Sequence, residues 1–189
     1  MGELRPAAFP NAGSTPNLLM ADTTDSSANE RALAFLDLAS FEDGGAIRGG
    51  CLVTDGWTRP VEFRVSGSIR PTNLQRVLYG DTLHEYICND LLGMPMLQSL
   101  ESKPGLVLVR DAEFLKLRPK VEIPVLWVRG TVDGQYVLQT FPGYEAEAEA
   151  GLEVLPRRLR GRNILEPFTR IRSALEEAHT LKVGEPPRG

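Results

Sequence analysis

Leu33-Ala-Phe-Leu-Asp-Leu-Ala39 is the stretch that decides the fold, because its apolar run fits a buried strand while its Ser27-Ala-Asn-Glu-Arg31 lead-in also suits a helix. The residues that follow favour the strand. Gly44-Gly45 and Gly49-Gly50 predict turns, and Val61-Glu-Phe-Arg-Val65 alternates apolar with charged side chains, as a half-buried strand does. With Cys51-Leu-Val-Thr-Asp55 between them, we predict three consecutive strands in an antiparallel meander.

Helical patterns follow the meander. A first helix ends at Gly80. Its apolar face is formed by Leu74, Val77 and Leu78. Asp81 is placed to cap a second helix with apolar residues at spacings of three and four, which Gly93 and Pro95 are expected to interrupt. We therefore predict a central helical layer that packs on the sheet.

Three more strands are predicted in the second half of the chain. Gly105-Leu-Val-Leu-Val109 is short and continuously apolar, as expected of a strand covered on both faces. Another strand spans residues 121–128, and Asp133-Gly134 predicts a tight turn between it and Tyr136-Val-Leu-Gln-Thr140. These last two strands form a predicted β-hairpin.

The C-terminal part of the chain predicts helices. Residues 144–155 alternate Glu with Ala, which favours a short solvated helix. Asn163 and Glu166 resemble a capping box for a last helix. Its apolar stripe consists of Ile164, Phe168, Ile171, Leu175 and Ala178. The fold class is α/β (α+β), with a mixed sheet, central helices, a buried strand, a β-hairpin and a C-terminal amphipathic helix.

Size and composition indicate one domain. The chain has 189 residues, 42% of them hydrophobic and 24% charged, enough to bury a core without metal or disulfide. We expect a disordered leader at residues 1–30, a single α/β domain at 31–181 and a flexible tail at 182–189. We expect no membrane association. Two distant cysteines among apolar neighbours suggest reduced thiols and a cytoplasmic location.

The element order strand, strand, strand, helices, strand, with Asp37 in the first strand and Asp111 just after the fourth, resembles the ribonuclease H-like fold, and endonuclease V in particular. The resemblance covers residues 33–111. It implies a divalent metal, Mg or Mn, held by Asp37 and Asp111 for hydrolysis of a nucleic acid. The pattern lacks a third placed carboxylate and leaves no room for the expected helix after Asp111. Candidates for that third position are Asp55, Glu113 and Glu176.

Six arginines lie close together in a chain whose net charge is −4. They are Arg157, Arg158, Arg160, Arg162, Arg170 and Arg172. Three interpretations remain open: a solvated face paired with Glu145, Glu147 and Glu149, a protein-docking surface, or a phosphate contact. Base-stacking aromatic residues are absent from this segment apart from Phe168.

Other chemistries are disfavoured. His84 and His179 lie on predicted helices with no cysteine or histidine at ligand spacing, which excludes a structural zinc site. There is no Gly-x-Ser-x-Gly elbow and no phosphate-binding loop. Arg59-Pro60 and Arg70-Pro71 flank the third strand, and together with Tyr79 they either line a pocket or simply end strand pairing.

We interpret the chain as a non-catalytic accessory or adaptor subunit that binds a larger protein assembly through its arginine-rich C-terminal region. The expected partner is a protein, nucleic acid being possible, and no cofactor is expected outside the nuclease alternative. That alternative is a metal-dependent nuclease of ribonuclease H-like fold; a nucleic-acid-binding module without catalysis is the third hypothesis.

Overall fold

The computed structural model describes residues 32–131 and 135–185 and contains a mixed six-stranded sheet. The strands are β1 (Leu33–Phe41), β2 (Ala46–Thr54), β3 (Pro60–Val65), β4 (Leu106–Val109), β5 (Val125–Gly130) and β6 (Tyr136–Gln139). Their order is β3-β2-β1-β4-β5-β6. Strand β4 runs parallel to β1 and β5, and the other neighbours are antiparallel. The predicted α/β class, the meander and the pairing of β5 with β6 are confirmed.

Helices cover both faces of the sheet. The α-helices are α1 (Asn73–Tyr79), α2 (Leu83–Tyr86), α3 (Met94–Gln98), α4 (Glu145–Arg158) and α5 (Glu166–Thr180). A π-helical segment (Ile87–Gly93) joins α2 to α3, and a 3-10 segment (Ala112–Lys120) follows β4. Within the described ranges, none of these helices combines the length and apolar character that crossing a membrane requires. The predicted leader, the Asp133-Gly134 turn and residues 186–189 lie outside the described residues.

Strand β1 is buried on both faces. Leu33 and Phe35 belong to the core formed with α4 and α5, whereas Ala34 and Leu36 belong to the core formed with the π-helical segment and α3. This division follows from the alternation of side chains along a strand. The strand assignment of residues 33–39 is therefore confirmed, and β1 continues to Phe41.

The predicted turn at Gly49-Gly50 is wrong, because both glycines lie in the middle of β2. A Cβ on Gly49 would come within 2.8 Å of Leu92, and a Cβ on Gly50 within 2.9 Å of Ile171. The glycines serve close packing of helices on both faces of β2. In sequence, such a position resembles a turn because both uses require a small residue.

The central helical region continues through Gly93 and Pro95, where we expected an interruption. Pro95 lies in the first turn of α3, a position where proline is tolerated. A Cβ on Gly93 would come within 2.5 Å of Leu117, so this glycine permits a close approach of the 3-10 segment.

The segment after β4 also differs from the prediction. We expected no room for a helix after Asp111, but the nine residues from Ala112 to Lys120 form the 3-10 segment. Strand β5 begins at Val125 and not at residue 121. Asp111 caps this segment: its side chain accepts a hydrogen bond of 2.9 Å from the backbone N–H of Glu113. Side-chain capping of this kind favours a helical turn directly after a strand.

The predicted capping box at Asn163 and Glu166 is absent. The Asn163 side chain accepts a hydrogen bond from the backbone N–H of Leu165, and the Glu166 carboxylate pairs with Arg170 at 2.9 Å. The predicted apolar stripe of α5 is nevertheless buried along its whole length.

The first residues of the predicted tail contact the domain. The buried Arg48 guanidinium on β2 donates to the backbone oxygen of Val183 at 2.7 Å and to Glu185 at 3.0 Å. A buried cation needs such acceptors, because an unpaired charge in a core is costly. Residues 182–185 are thus part of the folded domain.

Helix α1 does not bury the apolar face that its sequence predicts. Leu74, Val77 and Leu78 are 67%, 78% and 71% exposed. The helix is instead stabilised locally by a capping box between Thr72 and Gln75. Three neighbouring exposed aliphatic side chains are unusual on a protein surface away from an interaction site.

Two leucines offer a matched test of this fold. Leu36→Ala removes buried volume from β1, and we expect it to lower the free energy of unfolding by about 2–5 kcal/mol. Leu74→Ala removes the same atoms from the exposed face of α1, and we expect a change within about 0.5 kcal/mol. Urea unfolding measures both values. Equal losses in the two variants would contradict the burial described here.

Candidate functional site

The β2–β3 turn presents an exposed tryptophan. The Asp55 carboxylate accepts hydrogen bonds from the backbone N–H groups of Trp57, at 2.8 Å, and Arg59, at 2.9 Å. Thr58 in the same turn has a positive φ of 59°, a strained conformation for a β-branched residue. These contacts fix the turn and leave Trp57 42% exposed. Asp55, a candidate third carboxylate by sequence, therefore acts as a turn-forming residue.

The loop between α4 and α5 brings arginines onto this tryptophan. Arg160 has a positive φ of 51° and is followed by Gly161 at 75°, so the chain reverses sharply. The Arg160 guanidinium lies 3.8 Å from the centre of the Trp57 ring, and that of Arg162 lies 5.9 Å from it. Guanidinium groups are attracted to the face of an indole ring at such distances.

A cavity of about 470 Å³ lies beside these residues. Its lining joins the β2–β3 turn to the start of α5. The lining residues are Trp57, Thr58, Arg59, Pro60, Arg162, Asn163, Glu166 and Arg170. Three of them carry a positive charge and one carries a negative charge, so the lining has a net positive charge. We call this cavity, with Arg160 above its tryptophan, the Trp57 cavity.

The arginines of the cluster differ in their partners. Arg170 pairs with Glu166 at 2.9 Å and donates to the backbone oxygen of Thr58 at 2.8 Å. Arg172 pairs with Asp37 at 2.8 Å. Among the described residues, the other four arginines of the cluster form no ion pair with a carboxylate. These are Arg157, Arg158, Arg160 and Arg162.

The Glu run on α4 does not neutralise this cluster. Glu147 forms a bidentate pair with Arg118, with a shortest distance of 2.6 Å, and Glu145 accepts from the backbone N–H of Gly143. Phe168 is buried against Phe35, so it cannot stack on a base. Trp57 is the aromatic residue at this site, and sequence proximity could not reveal it because it lies about one hundred positions before the arginines.

Asp37 is a buried carboxylate with one charged partner. Its side chain is 2% exposed, and its oxygen accepts a hydrogen bond from Arg172, whose side chain is 55% exposed. Burial raises the pKa of Asp37 above its usual value, and the bond and charge of Arg172 act in the opposite direction. Arg172 therefore compensates Asp37 and is not a free member of the cluster.

Asp111 lies on the other face of the sheet. Asp37 lies on the same face of β1 as Phe35, the face that α5 covers. Asp111 Oδ2 instead lies 2.6 Å from Nε2 of His84, next to α2. Asp37 is not part of the potential metal-binding group that contains Asp111. The two candidate metal ligands thus have separate partners.

The sequence analysis missed a neighbour of His84. Cys88 Sγ lies 3.6 Å from His84 Nε2, because residues four apart share one face of a helix. The statement that no cysteine stands at ligand spacing from a histidine is therefore wrong. The His-x-x-x-Cys spacing in the sequence was the available signal. His179, in contrast, stacks on Phe41 with ring centres 4.2 Å apart.

The sequence leaves two interpretations open for the residues that flank β3: they line a pocket, or they only end strand pairing. Arg59 and Pro60 line the Trp57 cavity. Arg70 forms a bidentate pair with Glu42, and Tyr79 stacks on Tyr86 with ring centres 4.7 Å apart. The pocket interpretation therefore holds for Arg59 and Pro60.

The sequence matches no protein-family model and no curated protein.

The Asp37–Arg172 pair can be tested by Arg172→Gln. We expect the free energy of unfolding at about pH 7 to fall by about 1–3 kcal/mol, because the buried carboxylate loses its charged donor and keeps only the backbone N–H of Leu38, at 2.9 Å. Burial already holds the pKa of Asp37 above 3.8, so ionisation of Asp37 lowers stability as the pH rises through that raised pKa. The variant raises this pKa further, so its deficit should grow from about pH 4 to about pH 7. Urea unfolding at both pH values measures the deficit.

Arg157→Gln is the control, since it removes the same charge from an exposed position, and its effect should not change with pH. The double variant Asp37→Asn, Arg172→Gln should recover part of the loss, because no buried charge remains. An equal deficit for Arg172→Gln at both pH values would show that Arg172 does not stabilise the ionised carboxylate.

Proposed function

We propose that this protein is a non-catalytic accessory subunit that binds an acidic segment of a larger protein assembly in the Trp57 cavity. The observation that carries the proposal is a fixed arrangement of guanidinium groups around an exposed tryptophan, two of them without a carboxylate partner among the described residues. Arginine and tryptophan are the residues most enriched in the energetic centres of protein interfaces.

The ligand chemistry follows from the guanidinium groups. The Arg160 guanidinium, a planar fork of N–H donors, lies 3.8 Å from the centre of the Trp57 ring and pairs with no carboxylate among the described residues. Such a fork binds a carboxylate or a phosphate through two parallel hydrogen bonds. An aspartate or glutamate side chain of a partner is an anion of the required size.

Three features favour a protein partner over a nucleic acid. The Trp57 face that a base would use is already covered by Arg160, and base stacking needs an open aromatic face. The exposed aliphatic side chains of α1 provide a second surface of the kind that proteins bury on association. The net charge of −4 opposes long-range attraction of a polyanion, so any anion binding is local.

The nuclease alternative has less support. A metal held jointly by Asp37 and Asp111 requires both carboxylates at one point, but Asp37 is bound to Arg172 and Asp111 faces His84. The resemblance to the ribonuclease H-like fold stays a prediction that rests on element order. We place the protein in the cytoplasm, in keeping with its two free buried thiols.

Charge reversal in the cavity tests the proposal. We expect the double variant Arg160→Glu, Arg162→Glu to bind a short Glu- and Asp-rich peptide at least about tenfold more weakly, because two positive charges in the cavity become negative. A tenfold loss of affinity corresponds to about 1.4 kcal/mol. Arg157→Glu is the control, because Arg157 lies outside the cavity lining and should retain affinity within about twofold. Trp57 fluorescence reports binding, and Trp57→Phe should lose that signal.

The same variants distinguish the other functions. Co-purification from the native host should recover a protein that the double variant loses and Arg157→Glu keeps. Binding of a single-stranded oligonucleotide that weakens steeply with salt, with no binding of the acidic peptide, would support a nucleic-acid-binding module instead. Equal effects of Arg157→Glu and the double variant would contradict a localised site.

A further inference from the structure

His84, Cys88 and Asp111 form a cluster outside the Trp57 cavity. One ligand atom from each residue, His84 Nε2, Cys88 Sγ and Asp111 Oδ2, lies within 4.8 Å of the other two. The nearest pairs are Nε2 to Oδ2 at 2.6 Å and Nε2 to Sγ at 3.6 Å. The three side chains therefore converge on one small volume, which the proposed docking function does not use.

Local structure holds each side chain in place. His84 lies on α2 and Cys88 four residues later in the π-helical segment, so both project from one face. π-helical turns inside helices are frequent at functional sites. Asp111 uses Oδ1 to cap the 3-10 segment through the N–H of Glu113, which directs Oδ2 toward His84.

The geometry does not fit a catalytic triad. In a triad, the histidine contacts the nucleophile with one ring nitrogen and the carboxylate with the other. Here both Cys88 Sγ and Asp111 Oδ2 approach the same atom, Nε2. Convergence of three ligand atoms is instead the arrangement that a metal ion requires.

We propose that His84, Cys88 and Asp111 bind one Zn²⁺ ion. Nitrogen, sulfur and oxygen ligands from three residues, with a fourth position left to water or a partner, are typical of open zinc sites. A thiolate ligand disfavours Mg²⁺ and Ca²⁺, which prefer oxygen. On binding, an S–Zn bond replaces the S–H bond of Cys88 and one proton leaves to solvent.

The distances suit this ion with a small adjustment. Zinc bonds of about 2.0–2.3 Å in a tetrahedron place neighbouring ligand atoms about 3.3–3.7 Å apart. The Sγ to Nε2 distance of 3.6 Å falls in this range, whereas the 2.6 Å between Nε2 and Oδ2 must widen by about 0.7–1 Å. The side chains of His84 and Asp111 are 47% and 27% exposed, so solvent reaches the site and the side chains have room to turn. Cys88 forms its buried floor.

Zinc titration of the full chain tests the site. After treatment with a chelator and its removal, the wild type should bind one Zn²⁺ per chain by calorimetry, while Mg²⁺ should give no heat. Co²⁺ in place of Zn²⁺ should give the near-ultraviolet absorption of a thiolate–cobalt bond. We expect His84→Gln and Cys88→Ser each to weaken zinc binding at least about a hundredfold, equivalent to about 2.7 kcal/mol, and Cys88→Ser to abolish the thiolate band.

Cys51→Ser is the matched control, because Cys51 is the other buried thiol but lies on β2 outside the cluster. It should bind zinc like the wild type and keep the cobalt band. His84 is half exposed, so His84→Gln should fold normally by circular dichroism and gives a result even if the buried Cys88→Ser variant is unstable. Absence of stoichiometric zinc binding in the wild type, or binding that persists in His84→Gln, would overturn the proposal.

Discussion

The whole structure depends on the double burial of β1. This strand hydrogen bonds to antiparallel β2 on one side and to parallel β4 on the other, and helices cover both of its faces. Any polar side chain in it must find a partner, because an uncompensated buried charge is costly. Asp37 is that side chain, and Arg172 on α5 is its partner. One ion pair thus ties the helix that carries two of the clustered arginines to the centre of the sheet.

The strand directions also separate the two candidate sites. β2 runs antiparallel to β1, so the β2–β3 turn with Trp57 lies at the end of the sheet where β1 begins. β4 runs parallel to β1, so Asp111 follows it at the opposite end. A ligand in the Trp57 cavity therefore does not contact the His84, Cys88 and Asp111 cluster. Binding at the two sites can be examined independently by substitutions at each end.

Sequence patterns predicted the parts of the fold that periodicity controls. Three patterns each match an observed element: the alternation from Val61 to Val65, the apolar run before Arg110 and the apolar stripe of α5. Burial of one or both faces of an element determines the spacing of its apolar residues, so local sequence predicts such elements. The turn predicted at Gly49-Gly50 is wrong because tight packing and turns both select glycine. For the candidate site, the sequence predicts only the arginine cluster. Trp57 joins the arginines through the β2–β3 turn, and local sequence patterns cannot predict such a tertiary contact.

The orientation of α5 makes the Trp57 cavity a rigid one. Near its start, Arg170 binds the backbone oxygen of Thr58 in the β2–β3 turn, and near its end, His179 stacks on Phe41 of β1. Arg48 of β2 donates to the same His179 at 3.4 Å, so two strands hold the C-terminal end of the helix. A site whose arginines are positioned before the ligand arrives loses less side-chain entropy on binding than one that must order them. For the acidic segment proposed above, part of the binding affinity would therefore depend on contacts more than one helical turn away from the cavity.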